Sequence, residues 1–214
     1  MGIVFNQSYK NIIIIAFALL IGGVNTLYFY PVFLKEQYYG LVVFLLATSN
    51  LLQPIISFGS QHTIIKYFSS FNTKKDKDIF MSSIIFVPLF TIIPVTFIVV
   101  EFHDMIADFI SVKNPIIENY VWVIFLVSFA TSYFEVFYSW ARVQLKSVFG
   151  NFLKEIYPRF SVLVLLILVY LDFISKENFI WWLTGLYYLR LLIMIFYSLS
   201  LYLPIFSFSL PKNT

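Results

Sequence analysis

Two ionisable side chains, Glu135 and Arg190, lie inside long apolar stretches of this chain. A charge held within hydrocarbon costs about 3 kcal/mol even on lenient scales, so each marks either an ion pair or a wet pathway. The two segments run in the same direction, with Arg190 near mid-depth and Glu135 deeper. The depth difference, about 6 Å at 1.5 Å per residue, is within reach of a long arginine side chain, so a Glu135–Arg190 pair stands beside a functional role for each. Glu135 belongs to a stripe: Ser128, Thr131, Ser132, Glu135, Ser139, Arg142 and Lys146 recur at steps of three and four and grow basic toward one end. A second stripe, Asn50, Gln53, Ser57 and Ser60, leads to Gln61 and His62. For the neutral members the simplest reading is helix association, because hydroxyls and amides commonly hydrogen-bond across membrane helices.

Composition narrows the chemistry. The chain has no Cys and only two histidines, His62 and His103, which excludes thiolate chemistry and a histidine metal cluster. No metal or cofactor is expected. The polar residues between apolar segments, Glu36, His103, Asp104, Asp108 and Glu118, form no recognisable acid, base or nucleophile arrangement, so an enzyme is not expected. The net charge of +3 comes from loop lysines and argues for membrane orientation, not nucleic-acid binding.

The elements that carry these residues must be membrane helices. Sixty per cent of the 214 residues are hydrophobic and mean hydropathy is +0.87. Eleven acidic and 14 basic residues cannot cover a soluble domain of this size, so membrane lipid is the outer solvent. About 20 apolar residues span a bilayer, and six stretches qualify: 11–33, 40–67, 79–100, 119–141, 156–174 and 178–206. The fifth reaches full length only if Arg159 and Asp172 extend to the two interfaces, and it lacks a polar stripe, so it is expected to face lipid. Ten of the 14 cations, among them Lys10, Lys74, Lys75, Lys77, Lys146, Lys154 and Lys212, fall on one side. Lys35, Lys113 and Lys176 fall on the other. The positive-inside rule then places both termini in the cytoplasm. The expected fold is all-α: a polytopic membrane protein with one six-helix lobe. Ala18 and Gly22 make a small-residue face for close helix contact, and Pro54, Pro88 and Pro94 interrupt apolar segments.

The stretch from Phe33 to Phe71, which contains LKEQYYGLVVFLLATSNLLQPIISFGSQHTIIKYF, resembles the start of bacterial polysaccharide-biosynthesis flippases of the O-antigen translocase type. These belong to the multidrug, oligosaccharidyl-lipid and polysaccharide exporter superfamily. The similar features are Tyr39-Gly40 at the end of a short outer loop, Gly59 followed by a basic-aromatic end, and Arg142 two residues after Trp140. The resemblance implies an N-terminal lobe in the bacterial plasma membrane. A second six-helix lobe, later in the same chain or on another, would pack with it around a cavity that carries a lipid-linked oligosaccharide. In that frame Arg190 is the expected contact for the pyrophosphate, a match of guanidinium to phosphate oxygens. Glu135, Asn25, Asn50, Gln53, Ser57 and Arg142 are the further cavity candidates. The competing expectations are a drug or cation antiporter lobe, with Glu135 as the ion-binding carboxylate, and a non-transporting membrane assembly partner.

Overall fold

The computed structural model describes residues 2–205 and is helical, with no strand among the described residues. In chain order the helices are α1 Ile3–Val24, a π-helical stretch Asn25–Leu34, α2 Lys35–Ser57, α3 Ser60–Tyr67 and α4 Lys74–Glu101, followed by α5 His103–Ser111, α6 Val121–Val143, α7 Ser147–Tyr170 and α8 Lys176–Leu201. Four helical runs are long and apolar enough to cross a membrane: Phe5–Ser57, Lys74–Glu101, Pro115–Val143 and Lys176–Leu201. The chain is therefore a multi-pass helical membrane protein. Phe206, expected to end the last segment, lies outside the described residues, as do Lys212 and Thr214.

No loop separates the first two expected segments, since Phe5–Ser57 is a continuous helical run of 53 residues. Pro31 lacks an N–H and disrupts the ordinary bonding pattern, and the run passes through a π-helical stretch there. The run is not a straight rod. The rings of Tyr30 and Tyr39 stack at 5.1 Å, although nine residues of straight helix would part them by about 13 Å. The reversal falls at Lys35, whose φ of 62° and ψ of 168° occupy a region that side-chain-bearing residues rarely enter. The second expected segment is interrupted as well. Phe58 and Gly59 both take left-handed dihedrals and separate α2 from α3, a conformation that glycine adopts without steric cost.

Two helices start earlier than their apolar stretches. The Thr73 side chain accepts the Asp76 N–H at 3.1 Å, and Ser175 accepts the Asn178 N–H at 3.2 Å. Each satisfies an otherwise orphan donor, so α4 and α8 begin at their caps and take lysines into their first turns. The fifth segment differs most. It begins at Ser147, nine residues before the expected start, and brings Lys154, Glu155 and Arg159 into a continuous helix.

Helix α6 is the centre of the bundle, with α2 and α8 packed against it and α1 held mainly by α7. Ser128 and Ser132 of α6 donate to the carbonyls of Ser49 and Gln53 at 3.1 and 3.0 Å, and Ser49 donates back to Ile124 at 3.0 Å. These hydroxyls fasten α2 to α6. Apolar packing forms two cores. One gathers Leu34, Leu41, Leu45, Ile124, Leu166 and Phe179, and the other gathers Ile64, Met81, Phe134, Trp140 and Met194.

Candidate functional site

A cavity of about 430 Å³ lies among α1, the π-helical stretch, α2, α6, α7 and α8. Asn25 and Asn50 both line it. Twenty-five residues of straight helix would set them about 37 Å apart, which confirms the reversal at Lys35.

Five charged side chains line the cavity: Glu135, Lys154, Glu155, Arg159 and Arg190. The expected Glu135–Arg190 pair is not formed. Instead Lys154 Nζ sits 2.6 Å from Glu135 Oε1. One turn along α7, Arg159 pairs with Glu155 at 2.9 Å, the i,i+4 spacing that brings two side chains to one helix face. Arg159 also lies over Gly22, where an added Cβ would stand 2.9 Å from its Nε. Gly22 therefore marks a close contact between α1 and α7.

Arg190 has a different environment. It is only 4% exposed, and its guanidinium lies over the rings of Phe134 and Tyr187 at 4.2 and 4.6 Å. Its guanidinium donates to Thr131 Oγ1 at a long 3.4 Å, and its Nε has no partner. Among the described residues no carboxylate lies within ion-pair distance of it. Contact with an aromatic face returns about 2 kcal/mol when desolvated, against a desolvation penalty of several kcal/mol for a buried ion. Two rings offset part of that penalty and leave most of the five N–H donors unused. With both carboxylates already paired, the cavity carries one uncompensated positive charge, on Arg190.

Three uncharged amide side chains also line the cavity. Asn25 donates to the Arg159 carbonyl at 2.8 Å while its Oδ1 has no partner. Asn50 and Gln53 line the cavity from α2, and the Gln53 side-chain amide donates to Ser57 Oγ at a long 3.4 Å. Arg190, Glu135, Asn25, Asn50 and Gln53 are thus brought together. Ser57 and Arg142 are not among the lining residues. Ser57 is buried and bonds the Pro54 carbonyl at 3.2 Å, and Arg142 rests over the Tyr138 ring at 5.6 Å.

The fifth segment, expected to face lipid, supplies Lys154, Glu155, Arg159 and Pro158 to the cavity, so Arg190 is not its sole cation. The four-residue step from Glu155 to Arg159 was the available signal for a helix in this region. The cavity offers a guanidinium for an anion and a row of amides for hydroxyl-bearing groups, inside a protein whose outer surface is apolar. Among the described residues no group of three or more His, Asp or Glu is placed to hold a metal ion. Comparison with known proteins returns no match, whether to a family model, to a curated protein or to a solved structure.

Proposed function

We propose that this chain is one lobe of a membrane flippase that moves a polyprenyl-pyrophosphate-linked oligosaccharide across the bacterial plasma membrane. The carrying observation is Arg190: a buried guanidinium without a carboxylate partner, at mid-depth in an apolar bundle, beside a cavity. An intramembrane charge of this kind is held for a ligand or a pathway, and guanidinium suits phosphate oxygens. The amides of Asn25, Asn50 and Gln53, which line the same cavity, suit sugar hydroxyls. Six crossings, with α1 and α2 as a hairpin turned at Lys35 and α7 as the fifth, put both termini on the lysine-rich cytoplasmic side. A second lobe, in the same or another chain, would close the cavity and allow alternating access. The antiporter reading is weaker, because Glu135 already holds the Lys154 ammonium at 2.6 Å and has less need of a transported cation.

The test is binding of a polyprenyl pyrophosphate to the full chain in lipid nanodiscs, compared with the parent polyprenol. A charge-assisted hydrogen bond contributes about 1.5–3 kcal/mol, so Arg190→Ala should weaken pyrophosphate binding by about 10- to 100-fold and leave polyprenol binding unchanged. Equal pyrophosphate affinity in the two forms would overturn the assignment.

A further inference from the structure

The connection between α4 and α6 contains a nine-residue helix, α5, whose exposed half has two chemistries. At about 100° per residue, Met105, Phe109 and Val112 fall within roughly 60° of one another, and they are 65%, 81% and 79% exposed. Asp104 and Asp108 occupy the adjoining flank and are also exposed. The remaining side, with Ala107 buried and Ile106 and Ile110 half-buried, faces the protein. Three such apolar side chains in one row are costly in water.

Two contacts fix where α5 lies. At its start the His103 ring stacks on Trp122, near the beginning of α6, with centroids 5.9 Å apart. Just past its end Asn114 donates to the Gln37 carbonyl, in the first turn of α2, at 3.1 Å. The short helix is therefore held across the ends of two spanning helices, away from the Lys74, Lys75 and Lys77 end. The preceding helix, α4, has 28 residues, about 42 Å of helix against a hydrocarbon core of about 30 Å, so the chain has reached the interface by Glu101. On α4 itself Ile93, Phe97 and Val100 are exposed in a row, the surface such a helix presents to lipid.

We infer that α5 is an interfacial helix that seats Met105, Phe109 and Val112 in the headgroup–acyl boundary of that leaflet, with Asp104 and Asp108 turned to water. Its partner is the lipid surface, and the inference is independent of what the cavity carries. The half-apolar, half-acidic exposed surface is what a helix lying in the plane of the boundary requires.

The chain has no Cys, so single-cysteine variants take a nitroxide label at one place only. Met105→Cys, Phe109→Cys, Val112→Cys, Asp104→Cys and Asp108→Cys would be reconstituted in vesicles of phosphatidylethanolamine and phosphatidylglycerol, with Phe97→Cys as the lipid-facing reference. Collision with dissolved oxygen and with a water-soluble nickel chelate is then measured. Oxygen should dominate at 105, 109 and 112, as at 97, and nickel at 104 and 108. Nickel reaching all five positions equally would overturn the inference by placing α5 in water. Neither reagent reaching 105 and 109 would overturn it by placing them against protein.

Discussion

Helices α4 and α6 are both long and apolar, yet they occupy opposite environments. In the most apolar stretch of the run Pro115–Val143, 72% of residues are buried within the bundle, against 17% for Lys74–Glu101. Apolarity alone does not assign them, because lipid and protein interior are both apolar and the buried run is the less hydropathic of the two. Polar content does. Helix α6 carries Ser128, Thr131, Ser132, Glu135 and Ser139, every one serving a neighbouring helix, the cavity or the buried interior. Between Pro88 and Val100 α4 has only Thr91 and Thr96 as polar residues, among Phe90, Ile93, Phe97 and Ile98. In a membrane, hydroxyls and amides identify the inward face, the reverse of the rule for soluble proteins.

The contrast can be broken by substitution. Trp140 of α6 is fully buried, and its indole N–H donates to the Tyr202 carbonyl at 3.2 Å. Trp140→Ala should cost about 3–5 kcal/mol, measured as unfolding free energy of the detergent-solubilised chain. A smaller effect is expected at Gly150 of α7, where an added Cβ would stand 2.2 Å from the Tyr138 ring of α6. Gly150→Ala should destabilise by about 1–3 kcal/mol, whereas Gly185→Ala, with nothing within 4 Å, should not destabilise in the same assay. The smallest effect belongs to α4. Phe90 is exposed to lipid, and Phe90→Ala should change stability by less than about 0.5 kcal/mol, because a lipid tail fills the space. A large loss there would mean that α4 has a protein neighbour, and the contrast with α6 would fail.

The stripe on α6 was legible because polar residues at helical spacing are conspicuous against an apolar background. It led directly to Glu135 and, through the serines, to the contact with α2. The α7 wall was not legible. Lys154, Glu155 and Arg159 precede an uninterrupted apolar run and so resemble interface residues, and Pro158 resembles a helix boundary, though the helix continues through it. The reversal at Lys35 was anticipated as a loop, because Lys35, Glu36 and Gln37 are polar. Nothing in residue type announced that helical structure would persist on both sides of it. Partner choice within the cavity was also hidden: Glu135 chose between Lys154 and Arg190 by side-chain geometry, which spacing along one chain does not encode.

The uncompensated guanidinium of Arg190 also has an electrical consequence. A unit charge crossing a membrane at 100 mV gains or loses about 2.3 kcal/mol, so one fixed near half-depth carries roughly half of that. Any rearrangement that moves Arg190 relative to the field, or that moves the field by admitting water to one side of the cavity, is coupled to the membrane potential. The pyrophosphate of the proposed substrate carries more than one negative charge, so its binding would reverse the sign of the net charge there, and the empty and loaded forms would respond to the potential in opposite directions.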